Sequence, residues 1–223
     1  MKLDFSLVYD YIPFLLEASV LTIEISILSI IVSIIFGLII AMMKISRFKV
    51  LNKLAQYYIN FIRGTPLLAQ LYLVYFGLPQ MGIELNEFVS SIIGLGLNGG
   101  AYVAEIFRGS IMAIPNGQME AARSLGMSYP VAMRKVILPQ AFRFSLPPLG
   151  NQFIIILKDS SLCSVITAEE LMHNTTRFAS VNFAYLEFFI VASLIYYVMT
   201  YTIAKLIGRM EKRLSVSERS SQV

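Results

Sequence analysis

Pro115-Asn116-Gly117-Gln118-Met119-Glu120-Ala121-Ala122-Arg123-Ser124-Leu125-Gly126-Met127-Ser128-Tyr129-Pro130, running on through Arg134-Lys135-Val136-Ile137-Leu138-Pro139, is the one polar, helix-capable segment between long apolar runs. Gln118 to Leu125 are good helix formers that open after a Pro-Asn-Gly turn, and Gly126 stands where a left-handed residue closes a helix. One short helix is predicted to stop there. Ser128 is placed to cap a second helix whose first turn tolerates Pro130, and Pro139 is expected to end it. The product is two short helices joined by a turn. Ala121-Ala122 gives the first a small face that a partner surface can approach closely. Pattern alone is equally compatible with a plain interfacial loop between membrane spans.

Composition bounds what such a loop hangs from. Of 223 residues, 57% are hydrophobic and 14% charged, against about 25% charged in a typical soluble domain. The chain reads as an all-α integral membrane protein. A single Cys163 excludes an internal disulfide and a cysteine-built metal site, and a single His173 excludes a histidine cluster, so no metal site and no catalytic residue is assigned. Apolar runs cover Val20 to Met43, Ala55 to Leu78, Phe88 to Ala113, Leu146 to Ile166 and Phe183 to Ile207, each about long enough to cross a bilayer. The first is not read as a signal peptide, because Asp4, Asp10 and Glu17 precede it where positive charge is required.

Five spans put the termini on opposite sides, and basic residues in the short loops decide which is which. One side collects Lys44, Arg47, Lys49, Lys53, Arg123, Arg134, Lys135, Arg143, Arg209, Lys212, Arg213 and Arg219; the other holds Lys2 and Arg177. The N-terminus is therefore expected outside and the C-terminus inside, with the Glu120 loop cytoplasmic between spans three and four. Since these residues are accounted for as inside flanks, nucleic acid is not expected as a partner of a chain whose formal charge is +4. The tail from Ser215 to Val223 is polar and expected to be disordered.

Within the spans, Ser19, Thr22, Ser26, Ser29, Ser33 and Gly37 recur at three or four residues and predict a helix-packing seam. Glu24 projects from nearly the opposite side, in line with Glu17. Gly94, Gly96, Gly99 and Gly100 surround Asn98 and are expected to weaken or unwind the third span. Asn98, Tyr102 and Glu105 follow on one face. Glu105 has two candidate partners, Arg108 and Arg63. In the fourth span an apolar stretch runs into Lys158-Asp159-Ser160-Ser161. Ionisable groups in a bilayer usually face protein or a water-filled path. Glu24, Asn98, Tyr102, Lys158 and Asp159 are therefore the candidate path residues, expected at similar depth, with neutralisation of Asp159 by Lys158 as the structural reading.

Glu120-Ala121-Ala122, three residues, Gly126, nine residues, then Val136-Ile137-Leu138-Pro139 resembles the EAA loop of the membrane subunits of ABC importers, departing only at Val136, where the pattern usually has Ile. Phe61 to Gln70, Asn98 to Gly109 and Leu157 to Leu162 further resemble the permeases of polar amino-acid ABC importers of the histidine, glutamine and arginine type. The resemblance covers all five spans and implies a single permease domain over residues 1–223, a multi-pass protein of the cytoplasmic membrane. It also implies a second permease chain (the same chain or a paralogue), two ABC ATPase subunits that bind the ATP and magnesium, an extracytoplasmic binding protein and an amino-acid substrate. Gly117, Glu120, Ala121, Ala122 and Gly126 would then belong to the coupling helices that sit on the ATPases.

The residues agree on one negative point: there is no G-x-x-x-x-G-K-[ST] phosphate loop. An ion-coupled secondary transporter is the competing class, with the intramembrane carboxylates as coupling sites; against it stand the short chain and the absence of an internal repeat. Two carboxylates near one cation, Lys158, favour a basic amino acid as cargo, with glutamine as the alternative.

Overall fold

The structure, a computed structural model, describes the backbone of residues 4–219 and the side chains of residues 4–211. Every regular element among the described residues is helical: α1 (Ser6–Tyr9), α2 (Ile12–Lys44), α3 (Lys49–Gly64), α4 (Leu67–Tyr72), α5 (Glu87–Met112), α6 (Asn116–Ser124), α7 (Tyr129–Ala132), α8 (Leu138–Asp159), α9 (Leu171–Asn182) and α10 (Tyr185–Arg219). Among the described residues, four segments are long and apolar enough to cross a membrane: Ile12–Lys44, Glu87–Met112, Tyr129–Ile166 and Tyr185–Glu211. The helix α10 runs to Arg219 through part of the tail expected to be disordered, and residues 220–223 lie outside the described residues.

The run from Ala55 to Leu78, expected as one span, is two helices end to end. Thr65 is extended (φ −120°, ψ 147°), as the residue before a proline prefers, and α4 begins after Pro66. It then continues through a π-helical turn and a 3-10 turn, giving an apolar segment Leu67–Met81 that is shorter than the four others. The opposite holds at Pro139. Expected to end a helix, it lies at the start of α8 behind a π-helical turn, Met133–Ile137, and the helical path from Tyr129 to Ile166 is unbroken. The wider π-helical turn just before it makes room for the proline ring and for the missing N–H.

The small-residue seam is buried as expected: Ser19, Thr22, Ser26, Ser29 and Ser33 are all less than a tenth exposed. It carries the packing of α2 on α5. Ser33 Oγ donates to the Gly96 carbonyl at 3.0 Å, and a Cβ at Gly37 would come within 2.5 Å of Val103. The glycines of α5 do not unwind it, since α5 is continuous from Glu87 to Met112. They let neighbours in: a Cβ at Gly96 would meet Val32 at 2.5 Å and one at Gly94 would meet Leu71 at 2.6 Å. Close approach between helices recovers in packing what glycine costs in propensity.

The helix α9 has no counterpart among the elements expected from the sequence. Its N-cap, Glu170, is fully buried and accepts from the backbone N–H groups of Met172 and His173 and from the Tyr196 hydroxyl. Thr22 Oγ1 accepts from the Leu171 N–H at 3.1 Å, so α9 is pinned to both α2 and α10. Burial pushes the Glu170 carboxyl up to about 7 against these favourable hydrogen bonds.

Candidate functional site

The break between α3 and α4 opens one wall of a cavity of about 350 Å³ whose other walls are α5, α8 and the 3-10 turn that follows α8. Thr65 and Leu67 contribute from the break, Asn98 and Tyr102 from successive turns of α5, and Gln152, Ile155 and Asp159 from one face of α8, with Leu162 beyond it. Three of the five residues singled out from the sequence therefore meet here. Thr65 and Gln152 were missed, because a lone threonine before proline and a lone glutamine in an apolar helix carry no periodic signal.

Lys158 is exposed and lines no part of the cavity, and among the described residues it makes no ion pair with Asp159. A second cation rests on the cavity wall: the Arg63 guanidinium lies over the Tyr102 ring, 5.2 Å from its centroid. That contact, rather than Glu105, is what engages Arg63. Glu105 instead binds Lys44 and, at 2.8 Å, Arg108, tying the end of α2 to α5.

Glu24 is exposed on α2 and does not lie at the depth of Asn98. The contacts of Ser33 with Gly96 and of Gly37 with Val103 set the register of the two parallel helices. They place Glu24 level with the first turn of α5, about 13 Å from the level of Asn98 at 1.5 Å per residue. Nor do Gly99 and Gly100 offer free backbone N–H groups, since both lie inside the continuous α5.

The loop between α5 and α8 has the expected form at its decisive residue. Gly126 adopts φ +80°. Its N–H donates to the Arg123 carbonyl at 3.0 Å and that of Met127 to Ala122 at 3.2 Å, the paired bonds that close a helix through a left-handed residue. Gly117, Glu120 and Ala121 are exposed on α6, whereas Ala122 is turned inward. The two alanines therefore do not form one outward face. Ser128 stands at the N-cap of α7 without a side-chain cap bond. Leu125 is 81% exposed at the end of α6, and the Arg47 guanidinium lies 5.7 Å from the centroid of the Tyr129 ring, holding the loop after α2 against α7.

Among known proteins, the family described as "Binding-protein-dependent transport system inner membrane component" matches residues 33–216. The chain is similar to the arginine transport system permease protein ArtQ of Bacillus subtilis (strain 168), 38% identical over 98% of this chain and 100% of the relative. It is also similar to the glutamine transport system permease protein GlnP of Escherichia coli (strain K12), 35% identical over 97% of this chain and 100% of the relative. A crystal structure of an amino acid ABC transporter with histidines superposes with a TM-score of 0.91 at 43% identity, covering 96% of this chain and 100% of the other.

Proposed function

Since this chain belongs to the family of binding-protein-dependent transport system inner membrane components, we propose that its cavity is the cargo site of an ATP-driven importer for basic amino acids. The chain is a multi-pass membrane permease rather than an enzyme, and ATP is held by partner ATPases. The observation that carries the cargo assignment is the cavity itself: one carboxylate, Asp159, among the neutral hydrogen-bonding groups of Thr65, Asn98, Tyr102 and Gln152. An ammonium or guanidinium group pairs with that carboxylate, and Arg63 beside Tyr102 is the cation available to the cargo's own carboxylate. A relative named for arginine transport is consistent with cargo of this class, and one named for glutamine transport with the alternative.

The coupling follows from connectivity. The loop that carries Gly117, Glu120, Ala121, Ala122 and Gly126 joins the two helices that supply most of the cavity, α5 and α8. In this reading its exposed face docks on an ABC ATPase in the cytoplasm. From Tyr129 to Asp159 the helical path is about 45 Å long, so displacement of the docked loop moves Gln152 and Asp159 against Asn98 and Tyr102. A second permease chain, identical or paralogous, completes the path. Glu24 belongs to its outer approach, where an extracytoplasmic binding protein releases cargo.

Two measurements test this reading. Reconstituted with an ABC ATPase and an amino-acid-binding protein, the chain is expected to support ATP hydrolysis stimulated by arginine, lysine or histidine. Uptake driven by a proton or sodium gradient with no ATPase present would instead favour the ion-coupled class. For the five-span arrangement with the N-terminus outside, a cysteine at Asn116 in a Cys163→Ser background is expected to react only with membrane-permeant reagents. One at Asn86 should react with impermeant reagents in intact cells, and labelling of the Asn116 position from outside overturns the orientation.

A further inference from the structure

The break between α3 and α4 leaves carbonyl groups at the end of α3 without helical partners. Gln70, buried one turn into α4, supplies them: its Nε2 donates to the Ile62 carbonyl at 2.9 Å, the Thr65 hydroxyl at 2.8 Å and the Thr65 carbonyl at 3.2 Å. Backbone carbonyls only accept, so the Gln70 amide has one permitted orientation, with its nitrogen on the break and its oxygen on the far side. There Gln70 Oε1 accepts from Asn98 Nδ2 at 3.0 Å. The second amide is thereby oriented by the first. Asn98 commits one of its two N–H donors to Gln70, and its Oδ1, which accepts no hydrogen bond from the described residues, is the acceptor left for the cavity that Asn98 lines.

We propose that Gln70 is a positioning and specificity-determining residue: by turning the Asn98 amide it presents an acceptor to the cavity and selects cargo whose side chain donates hydrogen bonds. The inference rests on the reading of this cavity as the cargo site. With Asn98 Oδ1 and the Asp159 carboxylate both accepting, a guanidinium or ammonium finds partners. A side-chain carbonyl placed against these two groups faces oxygen and is disfavoured, because a buried acceptor opposite an acceptor leaves both unsatisfied. Gln70 itself does not line the cavity, although Thr65, which it holds, does, so its effect is on preference, exerted through the groups it orients.

Arginine and citrulline are the probes, since they share shape and differ in a guanidinium against a urea whose carbonyl accepts. In the complete importer reconstituted in liposomes with one binding protein throughout, any change in the arginine-to-citrulline ratio of kcat/KM belongs to this chain. Gln70→Leu is expected to lower that ratio about tenfold, the scale of one hydrogen bond mismatched in a buried site. A merely structural role lowers uptake of both and leaves the ratio alone; that result, with Asp159→Asn still collapsing the ratio, overturns the relay and leaves the cavity assignment standing. If Asp159→Asn also leaves the ratio unchanged, the cavity reading falls and the relay with it. Should Gln70→Leu fail to assemble, Asn98→Leu leaves the Gln70 nitrogen on the α3 carbonyls and removes the amide that presents the acceptor. The same drop then supports the proposal and an unchanged ratio overturns it.

Discussion

Gly126→Val is expected to abolish substrate-stimulated ATP hydrolysis and uptake in the reconstituted importer while the chain still inserts in the membrane. Gly126 sits at φ +80° in open space, with no neighbouring atom within 4 Å of where a Cβ would stand, so the penalty is conformational rather than steric. A β-branched residue held in the left-handed region costs about 1–3 kcal/mol, comparable to what the two closing bonds to Arg123 and Ala122 contribute. The loop is expected to relieve the strain by refolding, which displaces the exposed Glu120 and Leu125. Gly126→Asn separates the two effects, since asparagine tolerates this conformation; it should retain most of the activity. Normal stimulated hydrolysis in the valine variant would count against the loop as the docking element.

Asp159→Asn is expected to cut arginine uptake by roughly 10- to 150-fold, the factor that follows from losing a charged hydrogen bond of about 1.5–3 kcal/mol. The substitution preserves shape, and among the described residues Asp159 is the one carboxylate lining the cavity, so neutral cargo should lose much less. Initial rates measured for arginine and glutamine in parallel check it. Equal losses would remove Asp159 from the side-chain site. Glu24→Gln serves as the comparison: standing well away from the level of Asn98, it is expected to slow delivery of basic cargo to a smaller extent.

Much of the architecture is legible in the sequence, because local rules act on contiguous residues. The αL glycine after Leu125, the small-residue seam from Ser19 to Gly37 and the Asn98–Tyr102 pair on one face of a helix all survive into the structure. Glu105 pairs with Arg108 as its spacing allows. The readings that fail share a cause: each used a local propensity where a neighbouring element decides. Glycines that weaken an isolated helix around Asn98 become contact points for α2 and α4. A proline expected to end a helix at Pro139 is absorbed at the start of α8 after a π-helical turn.

The membrane-embedded helical class, the loop closed at Gly126 and the presence of polar groups within apolar helices are therefore written locally in the chain. These follow from composition, period and backbone chemistry, which neighbours in sequence dictate. Which polar groups meet was decided by tertiary structure alone. Inter-helix register separates Glu24 from Asn98, and the fold of Thr65-Pro66 beside α5 and α8 makes the cavity. Register depends on how side chains from distant segments interlock, as Ser33 does with Gly96 and Gly37 with Val103, and no periodicity within one segment carries that information.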